Sequence, residues 1–208
     1  MDYAIQTIIS ALSLGSFYAL GALGIGLLFS VLRLINFAHG DFITVGAYAL
    51  IVPSSAVTAT LLIGDFHPAL LVLCIVGIVV MLAILSYFVV FQHAQKSSPA
   101  TMMIISFALG YTLQNIIVMI YGGRPKAAGI WSDLTGQVQI SSGVSVQLLQ
   151  LVTIAVTWIL LIALVLFLKR TRVGIQMRAA AEDFRMARML GVNGKNVIAL
   201  AFILSGGL

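Results

Sequence analysis

VQLLQLVTIAVTWILLIALVLFL, residues 146–168, runs for 23 residues without a charge and is followed at once by Lys169 and Arg170. A helix needs about 20 apolar residues to cross a hydrocarbon layer about 30 Å thick. A run of this length that ends on two cations reads as a membrane span with a water-facing flank. Outward from it, similar apolar blocks occupy 6–31, 42–63, 68–91 and 100–121, and a sixth begins near Val197. Hydrophobic residues make up 61% of the chain and charged residues only 8%, which excludes a soluble domain with an ordinary surface. The fold class expected is all-α: a polytopic transmembrane helical bundle of about six spans, forming one domain over residues 1–208.

The sixth block differs from the others. Val197–Leu208 reaches about 18 Å at about 1.5 Å per residue, too short to cross. The expectation is therefore a C-terminally truncated fragment of a longer protein. The opening residues, MDYAIQ, lack the basic start of a cleaved signal peptide, so the first span is expected to be retained. Cys74, the single cysteine, falls inside the third block and reads as packing.

When the loops are numbered alternately, the cations separate. One side collects Arg33, Lys96, Lys169, Arg170, Arg172, Arg178, Arg185, Arg188 and Lys195, and the other only Arg124 and Lys126. The positive-inside rule places the first set in the cytoplasm and the N-terminus outside. The net charge of +5 thus reads as topology rather than as nucleic-acid binding. Segment 122–145 is then extracytoplasmic. Tyr121 and Trp131 suit an interfacial belt there, and VQISSGVSV (138–146) alternates apolar and small polar residues as a short hairpin does. The length of this segment suits a docking surface as well as a connector.

The remaining charge is concentrated in RAAAEDFRMARMLG, residues 178–191. Such a segment must lie in water between spans. On one helix, Arg178 and Glu182 stand four apart and Glu182 and Arg185 three apart, so two cations flank one carboxylate. Ala179, Ala180, Ala181 and Ala187 favour the helix, Gly191 stops it, and Asn193 or Asn196 starts the next span. A short charged helix tied at both ends to membrane helices can lie in a partner's groove and transmit a push. An ordinary amphipathic loop helix resting on lipid headgroups is the competing reading, and its weak apolar face argues modestly against that.

A second polar run, INFAHGDF (35–42), joins the first two blocks. Its Asn36, His39, Gly40 and Asp41 read as helix-end residues: Asn36 or Asp41 caps a helix starting at Phe42, and Gly40 permits a sharp turn. One His with one Asp is too few ligands for a metal. Small residues four apart in the first block (Ala11, Gly15, Ala19; Ala22, Gly26, Ser30) and Ser106 with Gly110 in the fourth invite close helix approach. Thr112, Gln114 and Asn115 either bond to neighbouring helices or line a route for a zwitterion, with Gln114 and Asn115 as the pathway candidates. No predicted span holds an ionised residue near its centre, so energy for ion-coupled transport is not evident. The chain has no phosphate-binding G-x-x-x-x-G-K-[ST] loop, and His39, His67 and His93 lack an acid–base constellation. It is not expected to be an enzyme, and no catalytic, metal-binding or cofactor-binding residue is assigned.

AAAEDFRMARMLGVNGKNV (179–197) resembles the cytoplasmic coupling loop, the EAA loop, of ABC-importer permeases in its branched-chain amino acid form; here the alanines precede the glutamate. INFAHGDF followed by GAY (46–48) closely resembles a hallmark of the same family, which includes urea and short-chain amide permeases. The resemblance covers essentially the whole chain. It implies a single transmembrane permease domain whose 169–196 loop is cytoplasmic and engages an ATPase through Ala180, Ala181, Glu182, Ala187 and Gly191, with Arg178 as the flanking cation. It also implies the partners: a second homologous permease subunit, two cytoplasmic ABC ATPases and an extracytoplasmic substrate-binding protein, in a bacterial inner membrane. The function implied is ATP-driven import of branched-chain or related amino acids. Urea or amide transport within the family, and a channel or facilitator needing no ATPase, are the alternatives.

Overall fold

The computed structural model describes residues 2–32, 35–54, 58–62, 67–94, 97–126, 136–141 and 144–208. Arg33, Lys96, Trp131 and the Ser142–Gly143 hairpin tip fall outside the described residues. Helix α1 spans Asp2–Leu32. A short helix α2, His39–Tyr48, follows. Helix α3, Pro68–Ser86, continues through a wide π turn, Tyr87–Phe91, into α4, Gln92–Ala94. Helix α5 is Pro99–Tyr121, and strands β1 (Gln137–Ser141) and β2 (Val144–Gln147) precede α6, Leu148–Arg170. The chain ends with α7 (Arg172–Glu182), α8 (Phe184–Met189) and α9 (Gly194–Gly207).

Four helical stretches are long and apolar enough to cross a membrane: Tyr3–Val31, Ala69–Ala94, Pro99–Tyr121 and Leu148–Arg170. They match the expected first, third, fourth and fifth blocks. Block 42–63 does not form a helix of that length. Helix α2 stops at Tyr48, and the chain turns back on itself, with Val52 N–H donating to Thr60 O (2.8 Å) and Leu62 N–H to Leu50 O (2.9 Å). Pro53, which lacks an N–H and disfavours helical geometry at Val52, keeps a helix from running on through this block. Tyr121 adds a cross-chain contact by donating its hydroxyl to Tyr48 O (3.1 Å). The expected hairpin is present: Gln137 pairs with Gln147 and Val138 with Val146, antiparallel, with an irregularity between Gln139 and Ser141.

Helix directions follow from which residues meet. Ser10–Phe17 share a cleft with Gln147–Thr153, and Ala19–Ser30 one with Leu161–Leu168, so α1 and α6 run parallel. A Cβ at Gly206 of α9 would lie 2.9 Å from Ala83 and 3.4 Å from Val79 O, while Phe202 stacks on Phe91 at 5.0 Å. Helix α9 therefore runs antiparallel to α3. Helix α2 runs with α5, as Asp41 meets Gln114 and Tyr48 meets Tyr121. The apolar core lies where these elements converge, around Leu28, Phe42, Ala83, Tyr87, Met177, Ala201 and Phe202.

Candidate functional site

The charged segment is built by a succession of local caps. Thr171 Oγ1 accepts from Gly174 N–H at 3.0 Å and starts α7. Gly174 packs against the last turn of α6: a Cβ there would collide with Phe167 O and with the Leu168 backbone, so glycine is what lets α7 fold back at this point. The expected single helix is broken at Asp183, which is extended (φ −145°, ψ 103°). Its carboxylate accepts from the Arg185 and Met186 N–H groups, both at 2.9 Å, and opens α8. Arg178 and Glu182 remain four apart on one helix. Glu182 and Arg185 do not share one, which corrects the three-residue spacing expected between them. The sequence signal was there: Asp is a strong N-cap, and its side chain competes with the helical backbone.

Gly191 ends α8 as expected, at φ 89°, with its N–H bonded to Arg188 O (3.1 Å) and Val192 N–H to Ala187 O (3.0 Å). Asn193 Oδ1 then accepts from Lys195 N–H (3.1 Å) and Asn196 N–H (3.4 Å) to start α9. The faces decide what is available to a partner. Met177, Ala180 and Ala187 point into the bundle, Ala180 and Ala187 each only 3% exposed. Ala181 is half-buried, and Arg178, Glu182, Arg185 and Arg188 are exposed. Met186, Met189 and Leu190 are exposed too, Leu190 at 84%, and form an apolar face absent from the residues expected at this site. Their i, i+3, i+4 spacing was the available signal. Beside them Phe184, Arg188 and Gly191–Lys195 line a cleft of about 550 Å³.

The second polar run departs more from expectation. Helix α2 begins at His39, not Phe42. Asn36 Oδ1 accepts from Ala38 N–H at 3.1 Å, a local turn just before the helix, while Asp41 lies within the helix and caps nothing. Gly40 sits in the first helical turn, and the positive-φ glycines among the described residues are Gly122 and Gly191, so no left-handed turn occurs at Gly40. The polar side chains of the run are also buried rather than exposed in a loop: Asn36, His39 and Asp41 are 4%, 3% and 8% exposed, while Ile35 and Phe37 face outward. Asp41, in the first turn of α2, is thus an acid buried within the bundle.

The Phe37 N–H, His39 and Asp41 each reach another helix, while Asn36 bonds locally. Ser106 of α5 accepts from Phe37 N–H at 3.2 Å. Gln114 Nε2 donates to Asp41 Oδ1 at 2.7 Å. Ser205 of α9 donates its hydroxyl to Gly24 O of α1 and lies 3.0 Å from His39 Nδ1. A hydroxyl donates once, so His39 Nδ1 carries a proton and donates to Ser205 Oγ. Gly24 and Gly110 make room, since a Cβ at Gly24 would overlap the His39 ring and one at Gly110 the Asp41 carboxylate.

Of the two pathway candidates, Gln114 bonds to a neighbouring helix, while Asn115 Nδ2 donates to Tyr111 O of its own helix at 2.7 Å. The pairing of Ser106 with Gly110 does allow the expected close approach. The small residues on α1 do not: Ala11, Gly15, Ala22, Gly26 and Ser30 are exposed, and a Cβ at Gly15 or Gly26 would meet nothing within 4 Å. His67 caps α3, accepting from Ala69 N–H at 3.3 Å, and His93 ends the α3–α4 stretch.

Residues 7–208 match the sequence family described as branched-chain amino acid transport system / permease component. The chain belongs to that family. It is 28% identical over 212 residues to the high-affinity branched-chain amino acid transport system permease protein BraD of Pseudomonas aeruginosa, covering 98% of this chain and 67% of that one. It is 30% identical over 215 residues to the corresponding permease protein LivH of Escherichia coli K12, covering 99% of this chain and 68% of the relative. LivH of Salmonella typhimurium is 29% identical over 214 residues. No solved structure matches the chain. This permease-family chain is thus a transport component built as a helical membrane bundle, and both motifs quoted for the resemblance lie within the matched residues.

Proposed function

We propose that this chain is the membrane-spanning permease subunit of an ATP-driven importer that moves branched-chain or related amino acids across the bacterial cytoplasmic membrane. The observation that carries the reading is the family match over residues 7–208, which contains a charged segment fastened at both ends to membrane helices. The relatives named above are described as branched-chain amino acid permeases. ATP hydrolysis then falls to separate cytoplasmic subunits, a second permease completes the pathway, and an extracytoplasmic binding protein delivers substrate near 122–145. The end of the bundle carrying Lys169, Arg170, Arg172, Arg178, Arg185, Arg188 and Lys195 faces the cytoplasm, with the N-terminus outside.

Within this reading the exposed face of the coupling segment docks in the ATPase: Arg178, Glu182, Arg185, Met186, Arg188, Met189 and Leu190. Ala180 and Ala187 act behind that face, seating the segment on its own bundle. Methionine and arginine are both enriched at protein interfaces relative to the rest of the surface. Motion of the ATPases is passed through Gly191 and Asn193 to α9, which packs on α1 and α3.

The test is a mild-detergent purification of the full-length protein with its partners, followed by transport in liposomes. A co-purifying ATPase and second permease, with ATP-dependent uptake of leucine, isoleucine or valine, are expected. A protein isolated alone that conducts solute without ATP would falsify the reading. Glu182→Lys reverses the charge at the end of α7 and is expected to lower uptake per ATP hydrolysed at least tenfold; an unchanged transport-to-hydrolysis ratio would remove Glu182 from coupling.

A further inference from the structure

The break between α1 and α2 contains polar groups whose bonding the fold leaves incomplete. Asn36 is buried, its Oδ1 is used by Ala38 N–H, and its Nδ2 has no hydrogen-bond partner. A buried amide hydrogen left unpaired is costly, so an acceptor is missing at this place. Five residues on, Asp41 is a buried acid among helices that cross a membrane. Among the described residues the partner recorded for its carboxylate is a neutral amide, Gln114 Nε2. Buried acids are stabilised by cations or by several donors, and an acid inside a membrane bundle without a cation marks a pathway or a ligand site.

The two groups are close in the fold. At Gly110 the position a Cβ would take is 3.3 Å from Asp41 Cγ and 3.4 Å from Ala38 Cα, and Ala38 is the residue whose N–H Asn36 holds. Gln114, which bonds Asp41, is exposed on α5, with Tyr111 and Asn115 on the same face. Polar side chains on a membrane helix face a partner or water more readily than lipid.

We infer that this break receives the substrate, Asp41 accepting from the ammonium group of an amino acid and Asn36 Nδ2 donating to its carboxylate. The inference rests on the amino acid cargo proposed above. An unpaired donor and an acid with no cation beside it among the described residues are together complementary to a zwitterion, whose two charged ends need one of each once water is removed. Gln114 holds Asp41 when the site is empty and yields it to the substrate. His39 is a positioning residue here: through Ser205 and Gly24 it ties α2 to α9 and α1, so the site sits on the helix that follows the coupling segment.

The test uses the complete transporter with its partner subunits in liposomes. Asp41→Asn keeps the size of the side chain and an oxygen for Gln114, so a purely structural role predicts uptake close to wild type. The inference predicts leucine uptake at least tenfold slower, with subunit assembly retained. Wild-type protein gives a second measurement that does not depend on the variant folding: labelling of Asp41 by a hydrophobic carbodiimide, followed by peptide mass spectrometry. Leucine is expected to slow the labelling, and 4-methylpentanoate, which lacks the ammonium group, is not. Uptake by Asp41→Asn within twofold of wild type, or labelling that leucine leaves unchanged, overturns this inference and leaves the importer reading intact. Uptake driven by a pH gradient without ATP assigns the carboxylate to proton transfer and overturns it too. Wild-type liposomes that take up none of the three branched-chain amino acids overturn the cargo reading and this inference with it.

Discussion

Two of the helix breaks in this chain, before His39 and at Asp183, are closed by opposite means. At Asp183 the interruption is closed by neighbours: the carboxylate bonds to N–H groups two and three residues ahead. Before His39 it is closed mainly from a distance, by Ser106, Gln114 and Ser205, which stand 69, 73 and 166 residues from the groups they bond. Both leave helix ends with unsatisfied backbone groups. The first lies on a charged surface where water can complete the bonding. The second lies inside an apolar bundle where water is scarce, so protein groups must do so. A local break can move as a unit with its partner, whereas a break sealed by two other helices, α5 and α9, registers any shift between them.

The comparison yields a ranked set of tests. The largest effect is expected from Gly24→Leu, because any side chain at that position overlaps the His39 ring. Overpacking of a core costs about 1–3 kcal/mol or more, and here the obstacle is a ring wedged between helices. Loss of folded protein from the membrane is expected, whereas Gly15→Leu on the same helix, facing open space, should accumulate normally. Equal accumulation of the two would show that the distant seal contributes nothing.

A smaller loss is expected from Ser205→Ala. It leaves the His39 Nδ1 proton buried without an acceptor, at a cost of about 1–3 kcal/mol. Thermal unfolding of the purified protein should record the difference, and a midpoint equal to wild type would mean the ring has turned to another partner. Asp183→Ala should have the mildest effect, about 1 kcal/mol for a lost cap. Faster amide hydrogen exchange at Arg185 and Met186 is expected, with exchange around His39 unchanged. Were exchange to rise around His39 as well, the two breaks would be energetically joined, and the contrast between them would need revision.

What was legible divides along the same line. The long apolar blocks became helices at nearly the expected bounds, because burial in lipid rewards any continuous apolar stretch of sufficient length regardless of its neighbours. The stop at Gly191, the cap at Asn193 and the hairpin of VQISSGVSV were readable because each depends on residues within a few positions. Block 42–63 was misread because its apolar composition hid the local signal of Pro53. The helix break at Asp183 was missed because helix-favouring residues on both sides made a continuous helix look favourable. The inward direction of Ala180 and Ala187 was not readable either, since small residues suit both an interface and a core.

By itself the sequence determined the helical membrane class and the family, because composition, span length and motif spacing do not depend on how helices are arranged. Only the tertiary structure decided that Asn36, His39 and Asp41 lie inside the bundle instead of in a loop, and that Gly24, Gly110 and Ser205 are the residues that admit and hold them. The physical reason is distance along the chain. A buried polar group needs a partner in space, and here helices drawn from both halves of the sequence supply it.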